Sequence, residues 1–150
     1  MRQIKRNVSP MSNEGRNAYV IGHITDALLK LLWEKPIEAI SISELCGRAG
    51  IGRASFYRNF NSKEDILRSY IHGLFQEWAA GVPPEENRPL SELLRSLFAH
   101  FEKHRDFYAL LDRRGLTYLL KDVITGLCGP RPEDSKEEAY ARAYVAYTLY

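Results

Sequence analysis

The sequence predicts an all-α protein with two helical parts. Apolar side chains recur at intervals of three and four residues along most of the chain, which is the spacing that buries one face of a helix. A serine followed three residues later by an acidic residue, the pattern of a helix N-terminal cap, occurs at Ser41, Ser62 and Ser135. No stretch alternates apolar and polar residues convincingly, so a sheet is not expected.

The chain is predicted to begin with a basic arm and a long helix. Residues 1–16 carry four basic side chains against one acidic side chain, and Pro10 and Gly15 oppose regular structure. From about Asn17 to Glu34 the apolar residues form one stripe, and Pro36 then ends the helix. This helix would brace the short helices that follow, which cannot bury enough surface alone.

The stretch Ser41–Asp65 contains two short helices separated by a glycine turn. Ser41 and Glu44 predict a capping box, in which the serine oxygen accepts a first-turn amide and the glutamate reaches back to the cap. Gly50 follows the last turn of this helix, where a left-handed residue is favoured. Ser62 and Asp65 form a second capping pair, which opens the next helix.

The second short helix, Arg53–Asn59, has two different sides. Phe56 and Phe60 recur at helical spacing on one side, and the other side carries basic and hydrogen-bonding residues. A helix, a glycine turn and a helix with such an exposed face form the helix-turn-helix pattern, whose second helix enters the DNA major groove. The alternative is a helix-turn-helix used for protein docking.

In these residues the chain resembles the DNA-binding domain of the tetracycline-repressor (TetR) family of bacterial transcriptional regulators. The resemblance covers about residues 17–70, and the matching runs are Ser41–Cys46, Ala49–Phe60 and Ser62–Glu64. Gly52 stands where the family has a serine and Asn59 where it has a histidine, so the operator sequence is not carried over. The resemblance implies an N-terminal three-helix DNA-binding domain joined to a helical ligand-binding and dimerisation domain.

The residues expected at DNA divide by chemistry. Hydroxyl and amide donors at Ser41 and Ser43 suit a phosphate, and an arginine can bridge O6 and N7 of guanine in the major groove. The resemblance implies that Tyr57 and Lys63 contact the sugar-phosphate backbone. The expected DNA-binding set is Ser41, Ser43, Gly52, Arg53, Ala54, Ser55, Tyr57, Arg58, Asn59 and Lys63. The basic arm is either disordered or reaches along the DNA.

The remaining helices are predicted to form a regulatory domain. The expected division is an arm over 1–16, a DNA-binding domain with its connecting helix over 17–80, and a regulatory and dimerisation domain over 81–150. A loop is expected over 81–89. The further helices are expected over Leu90–His104, about Asp106–Asp112, about Leu116–Leu127, and from Ser135 onward. In the first of them, Leu93, Leu94, Leu97, Phe98 and Phe101 are expected to point inward.

Aromatic residues after position 74 either fill a helical core or line a cavity for a small effector. The family resemblance favours a cavity, and an apolar or aromatic effector is expected. The expected lining is Phe75, Trp78, Phe98, Phe101, His104, Phe107, Tyr108, Tyr118 and Tyr144. His100 and His104 share a helix face, but no third metal ligand is apparent. No catalytic motif is present, so we expect neither an enzyme nor a metal or other cofactor.

Charge, cysteine content and the pattern of the last helix give three further expectations. Lys and Arg exceed Asp and Glu in residues 1–80 (11 against 8) but not in residues 81–150 (10 against 11), so the basic excess lies with the helix-turn-helix. Cys46 and Cys128 are far apart and no apolar run reaches about 20 residues, which favours a cytoplasmic protein. The last helix shows no stop signal before Tyr150, so we expect a further helix that completes a dimer.

The function expected from these features is that of a homodimeric regulator on a palindromic operator, a repressor released by a small apolar effector. The alternative is a DNA-bound adaptor that is controlled by a protein partner on its C-terminal helices.

Overall fold

The computed structural model describes residues 13–82 and 89–148, and every regular element in these ranges is helical. The predicted all-α class is confirmed. The helices are α1 (Asn13–Glu34), α2 (Ile42–Ala49), α3 (Arg53–Asn59), α4 (Lys63–Gly81), α5 (Leu90–Lys103), α6 (Arg105–Arg113), α7 (Tyr118–Cys128) and α8 (Lys136–Thr148). A short 3-10 turn over Ile37–Ala39 connects α1 to α2.

The chain divides into two compact units, unit 1 (Met1–Ile66) and unit 2 (Leu67–Tyr150). The division falls near the start of α4, whereas the sequence predicts it near the end of that helix, after residue 80. None of the helices in the described ranges has the length and apolar character needed to cross a membrane.

In unit 1, α1 is longer than expected and supplies the core. It begins at Asn13, so residues 13–16 are helical and the prediction of a flexible arm is wrong for them. Gly15 is tolerated there because it lies in the first turn, where glycine costs less helix stability than in a helix interior. Residues 1–12 of the expected arm lie outside the described residues. The fully buried side chains of α1 are Ile24, Leu28, Leu31 and Leu32.

The start of α2 has half of the expected capping box. The Glu44 amide donates to the Ser41 hydroxyl oxygen at 3.1 Å, as predicted. The prediction that the Glu44 carboxylate accepts from the backbone amide of the cap residue is wrong. Both of its oxygens accept instead from Lys35 Nζ, at 2.7 and 2.8 Å. Arg48 on the last turn of α2 donates to Glu34 at 3.0 Å. Two ion pairs therefore tie α2 to the end of α1 and the residue after it.

The turn between α2 and α3 is closed by a left-handed glycine, as predicted. Gly50 has φ +67°, its amide donates to the Gly47 carbonyl at 3.2 Å, and the Ile51 amide donates to the Cys46 carbonyl at 3.0 Å. These two bonds form a Schellman motif, which satisfies carbonyls at the helix end. Gly52 follows in extended conformation and is the N-cap of α3, with no side-chain cap.

In unit 2, α7 packs against α8, and α5 is followed by α6 after the single residue His104. The core includes Leu97, Leu110, Leu111, Leu119 and Ile124. Ser135 and Glu138 form a complete capping box before α8, because the Ser135 amide donates to the glutamate at 2.9 Å and the Glu138 amide donates to the serine at 3.3 Å.

The inward face of α5 differs from the predicted one. Phe98 is 68% exposed, so its placement in the core is wrong. The buried positions are Leu97 and His100, which are three residues apart and share one face of the helix. Phe98 lies about 100° around the helix from Leu97, on the side that faces solvent.

Candidate nucleic-acid interface

The helix α3 buries its apolar side and exposes the side assigned to DNA. Phe56 is fully buried and Phe60, at the C-cap, is almost fully buried. The Tyr57 ring stands edge-on to Phe56, with ring centroids 5.1 Å apart, and is itself exposed. The accessible residues are Gly52, Arg53, Ala54, Tyr57 and Arg58, with Ser55 and Asn59 half-buried.

The exposed side of α3 is basic. Its seven residues include Arg53 and Arg58 and no acidic residue. Beneath the turn, burial raises the pKa of the Cys46 thiol, and the nearby Arg53 charge opposes this only in part. Cys46 is therefore held as a neutral, buried thiol rather than an activated nucleophile.

The start of α2 presents hydroxyl groups beside the helix-turn-helix. Ser41 and Ser43 are both exposed, and α2 is long enough for its N-terminus to attract an anion. The Ser41 oxygen accepts from the Glu44 amide, which leaves its hydroxyl hydrogen for donation to a ligand.

The Lys63 side chain occupies a different place from the one that the family resemblance implies. Its ammonium nitrogen lies 2.5 Å from the Ile37 carbonyl oxygen and 2.6 Å from the Ile40 carbonyl oxygen. In this arrangement it binds the 3-10 turn rather than pointing outward toward a phosphate.

A groove of about 710 Å³ runs between the start of α1 and α3. Its lining residues are Arg16, Asn17, Tyr19, Val20, Ser55, Arg58 and Asn59. Within it, the side-chain Nδ2 of Asn59 donates to the Ser55 backbone carbonyl at 2.8 Å, so the Asn59 side chain is held against its own helix. The α1 side of this groove was not predicted, because the arm was expected to extend to residue 16. The signal was the helical spacing of Arg16 and Val20 on one face.

Similarity to known proteins agrees with this geometry. Residues 24–70 match the model of the bacterial regulatory proteins of the tetR family, and this segment contains α2, the turn and α3. The match covers about a third of the chain, and within it the chain is similar to this family. A family of regulatory proteins agrees with the prediction of a regulator rather than an enzyme.

A relative of this chain is a protein of Bacillus subtilis (strain 168) named as the uncharacterized HTH-type transcriptional regulator YerO. The two are 33% identical over an alignment of 93 residues, which covers 55% of this chain and 32% of the relative. The matched part thus spans about a third of the relative's length. No solved structure matches the chain.

In unit 2 the structure brings together only part of the expected effector site. The buried or half-buried members are Phe75, Trp78, Phe101, His104, Phe107 and Tyr108. His100 lies among them, with ring centroids 5.1 Å from Phe75, 5.6 Å from Phe101 and 6.3 Å from Trp78. Phe98, Tyr118 and Tyr144 are exposed, so their assignment to a cavity wall is wrong for this conformation.

The groove beside this ring cluster has a mixed lining. It has a volume of about 270 Å³, and Trp78, Val82 and Ala99 line it together with the polar side chains of Glu77, Ser96, Lys103 and His104. Lys103 donates to Glu77 at 3.0 Å across it, and Trp78 Nε1 donates to Ser96 at 3.2 Å. The Glu77–Lys103 ion pair adds charge to a site that the aromatic residues predict to be apolar.

His100 is the buried centre of the ring cluster. Its Nε2 lies 2.9 Å from the Tyr108 hydroxyl oxygen, and its ring is 5.0 Å from that of His104. Burial, followed by the nearby His104 and Lys103 charges, lowers the pKa of His100, which favours the neutral imidazole. Burial likewise raises the pKa of the Tyr108 phenol. Within the described ranges, no three His, Cys, Asp or Glu side chains are grouped to hold a metal ion.

Proposed function

We propose that this chain binds a specific DNA sequence by placing α3 in the major groove. The observation that carries this proposal is the division of α3 into a buried Phe56 side and an exposed side bearing Arg53 and Arg58. Burial of Phe56 fixes the helix by its inner side and leaves both arginines exposed. They are five residues apart, about 140° around the helix, so they can reach different parts of the DNA, where an arginine reads a guanine edge or contacts a phosphate.

The phosphate contacts of this proposal come from elements beside α3. Ser41 and Ser43 at the start of α2 are donors for one strand, and Tyr57 provides a hydroxyl group on α3 itself. Arg16 and Arg58 lie on opposite sides of the groove between α1 and α3, where a sugar-phosphate chain would meet positive charge from both sides. Two copies of the chain would read a palindrome with recognition helices about 34–36 Å apart.

The test of this proposal is Arg53→Ala, with Arg95→Ala as the matched control. Arg95 is exposed on α5 in unit 2, so its loss removes the same charge far along the chain from α3. We expect Arg53→Ala to weaken binding to duplexes selected by the unaltered chain by about 1–3 kcal/mol and to relax the preference at one base pair per half-site. The assay is fluorescence anisotropy, with sequencing of the selected duplexes.

If Arg53→Ala keeps the affinity, the sequence preference and the salt dependence of the unaltered chain, the proposal that α3 lies in the major groove is refuted. Equal losses in both variants would attribute the effect to net charge.

The proposal extends to a homodimeric repressor that a small apolar effector releases from DNA. Its support is the cluster of aromatic rings on α4, α5 and α6 of unit 2, including Phe75, Phe101 and Phe107. Because these rings are in mutual contact, a ligand would have to displace some of them, which couples binding to a rearrangement. Such a ligand changes DNA affinity only by binding one arrangement better than the other.

The alternative is control by a protein partner, and one observation favours it. Tyr140, Tyr144 and Tyr147 lie on α8 at intervals of four and three residues and are each about two-thirds or more exposed. Aromatic residues on one exposed helix face are typical of a protein contact. A thermal shift of the chain with apolar aromatic compounds supports the effector. Lack of any shift, together with a partner or second copy lost on Tyr144→Ser, supports docking on α8.

A further inference from the structure

A groove in unit 2 lies between the end of α4 and the second half of α5, and is here called the α4–α5 groove. Its α5 side presents Ser96, His100, Lys103 and His104, whose spacing of three and four residues places them on one helix face. The volume of about 270 Å³ is just below the range of about 300–1,000 Å³ for pockets of drug-sized ligands. The groove therefore suits a small ligand with a single ring.

His100 offers this groove a ring nitrogen from its buried side. The residue is only 6% exposed, and its Nε2 lies 2.9 Å from the Tyr108 hydroxyl oxygen. The described contacts give Nδ1 no partner. Since no buried side-chain nitrogen or oxygen in the described ranges lacks a partner, Nδ1 must reach the small accessible part of the residue, and His100 lines the groove.

The contact with Tyr108 decides which nitrogen of His100 carries the hydrogen. Burial raises the pKa of the Tyr108 phenol, so the hydroxyl keeps its hydrogen at neutral pH. Among the described residues its hydrogen-bond partner is His100 Nε2. When the hydroxyl donates, Nε2 accepts, and a neutral imidazole then carries its hydrogen on Nδ1. The groove thus has an N–H donor at its buried side, which suits an acceptor group on a ligand.

We propose that the α4–α5 groove binds a small aromatic carboxylate, whose carboxyl group accepts from His100 Nδ1 and pairs with Lys103, and whose ring lies against Trp78. This inference rests on the effector part of the proposed function and deepens it by naming the chemical class of the effector. It adds one charged group to the apolar body proposed above. Because the groove is open beside the ring cluster, the ligand can enter without first displacing Phe75 or Phe101.

The charges around the groove favour an anionic acceptor. Lys103 and His104 lie on the same helix face as His100, and Glu77 is the one acidic residue among the described residues of the lining. Glu77 accepts from Lys103 at 3.0 Å, but the two side chains are 65% and 62% exposed. An ion pair this exposed is worth little, so Lys103 can turn to a ligand carboxylate while water solvates Glu77. An ammonium ligand would instead meet Lys103 and the N–H group of His100.

Binding of a carboxylate at Nδ1 should take up a proton. In the free chain, burial, followed by the charges of His104 and Lys103, lowers the pKa of His100. The other titratable groups near its ring are Glu77 on α4, which acts in the opposite direction, and Tyr108 on α6. A ligand carboxylate raises the pKa of His100 in the complex. The bound state then holds more protons than the free state, so the affinity rises as the pH falls between the two pKa values.

The experiment compares benzoate, benzamide and benzylamine, which share a ring and differ in charge, on the 150-residue chain. Binding is followed by proton–nitrogen NMR of the Trp78 indole, which donates to Ser96 beside the groove, in a Trp33→Phe background that leaves one indole signal. We expect benzoate to bind at least about threefold more tightly than benzamide, and benzylamine to bind most weakly. Between about pH 8 and pH 6 the Kd of benzoate should fall at least about threefold, while that of benzamide stays constant.

His100→Phe tests the assigned donor, with His72→Phe as the matched control. Phenylalanine keeps a ring in the cluster and removes both nitrogens. His72 is half-buried on α4 and lines a different groove, with Val123 of α7. We expect His100→Phe to bind benzoate no better than benzamide and without pH dependence, and His72→Phe to behave as the unaltered chain. If His100 were only a packing residue, its loss would weaken both probes alike and leave the preference for benzoate and its pH dependence in place.

The proposal is overturned if no probe shifts the Trp78 signal, if benzamide or benzylamine binds as tightly as benzoate, or if the Kd of benzoate is the same at both pH values. These measurements use the unaltered residue at position 100, so they decide the question even if His100→Phe does not fold. DNA binding is measured separately. A duplex affinity that falls on saturation with benzoate supports its class as the effector, whereas an unchanged affinity upholds the site and refutes the effector part of the proposed function.

Discussion

Two glycines, Gly47 inside α2 and Gly50 directly after it, offer a sharp test of the helix-turn-helix geometry. Gly50 has φ +67°, and a methyl group built on it would meet no atom within 4 Å. The cost of Gly50→Ala is therefore conformational alone, about 1–2 kcal/mol for a left-handed alanine. Gly47 lies inside α2, also with open space around its Cα, so Gly47→Ala should stabilise the helix by about 0.5–1 kcal/mol. The two variants should differ by about 1.5–3 kcal/mol.

The assay is urea unfolding followed by tryptophan fluorescence. The chain has two tryptophans, Trp33 on α1 and Trp78 on α4, so a Trp78→Phe background leaves Trp33 as the reporter of unit 1. With a slope of about 1.5 kcal/mol per M, the midpoints of Gly50→Ala and Gly47→Ala should lie about 1–2 M apart. Gly50→Asn should fall between them, because asparagine tolerates the left-handed region better than alanine. Equal midpoints for the two alanine variants would refute the assignment of Gly50 to a left-handed turn.

Three further predictions concern pH and the core of unit 2. The pKa of His100 is lower in the folded chain than in the unfolded chain, so the imidazole of the unfolded chain is protonated first as the pH falls. The neutral His100 therefore contributes its full stability above about pH 6.5, and this contribution is lost as the pH falls below that value. His100→Gln should therefore flatten the fall in thermal midpoint between pH 7 and pH 5, with His72→Gln as the matched control. The hydrogen bond from Lys35 lowers the pKa of Glu44, so its contribution is present above the unfolded value of about 4.3 and is lost as pH falls through the lower folded value. Glu44→Gln should remove that part of the acid transition, and a transition identical to that of the unaltered chain would contradict the ion pair. In urea unfolding, Leu97→Ala should cost about 2–5 kcal/mol and Phe98→Ala less than about 0.5 kcal/mol, and the reverse order would restore Phe98 to the core.

The sequence alone predicted the elements whose hydrogen bonds connect near neighbours. The Ser41 cap, the Gly50 turn, the bounds of α3 and the Ser135 cap all depend on bonds between residues three to five positions apart. Such bonds form from the local residue order whatever the rest of the chain does. For the same reason the residue order alone predicts the helix-turn-helix and the two sides of α3.

Only the tertiary structure decided where long side chains find their partners. Glu44 suits a capping box by its spacing, but it accepts from Lys35, nine residues away, because the end of α1 brings an ammonium group within 2.7 Å. Lys63 finds two carbonyls more than 20 residues away. His100 takes the inward place on α5 that Phe98 was expected to share, because rings from α4 and α6 surround it. The sequence allows several partners for a long, flexible side chain, and the packing of neighbouring helices decides which of them it contacts.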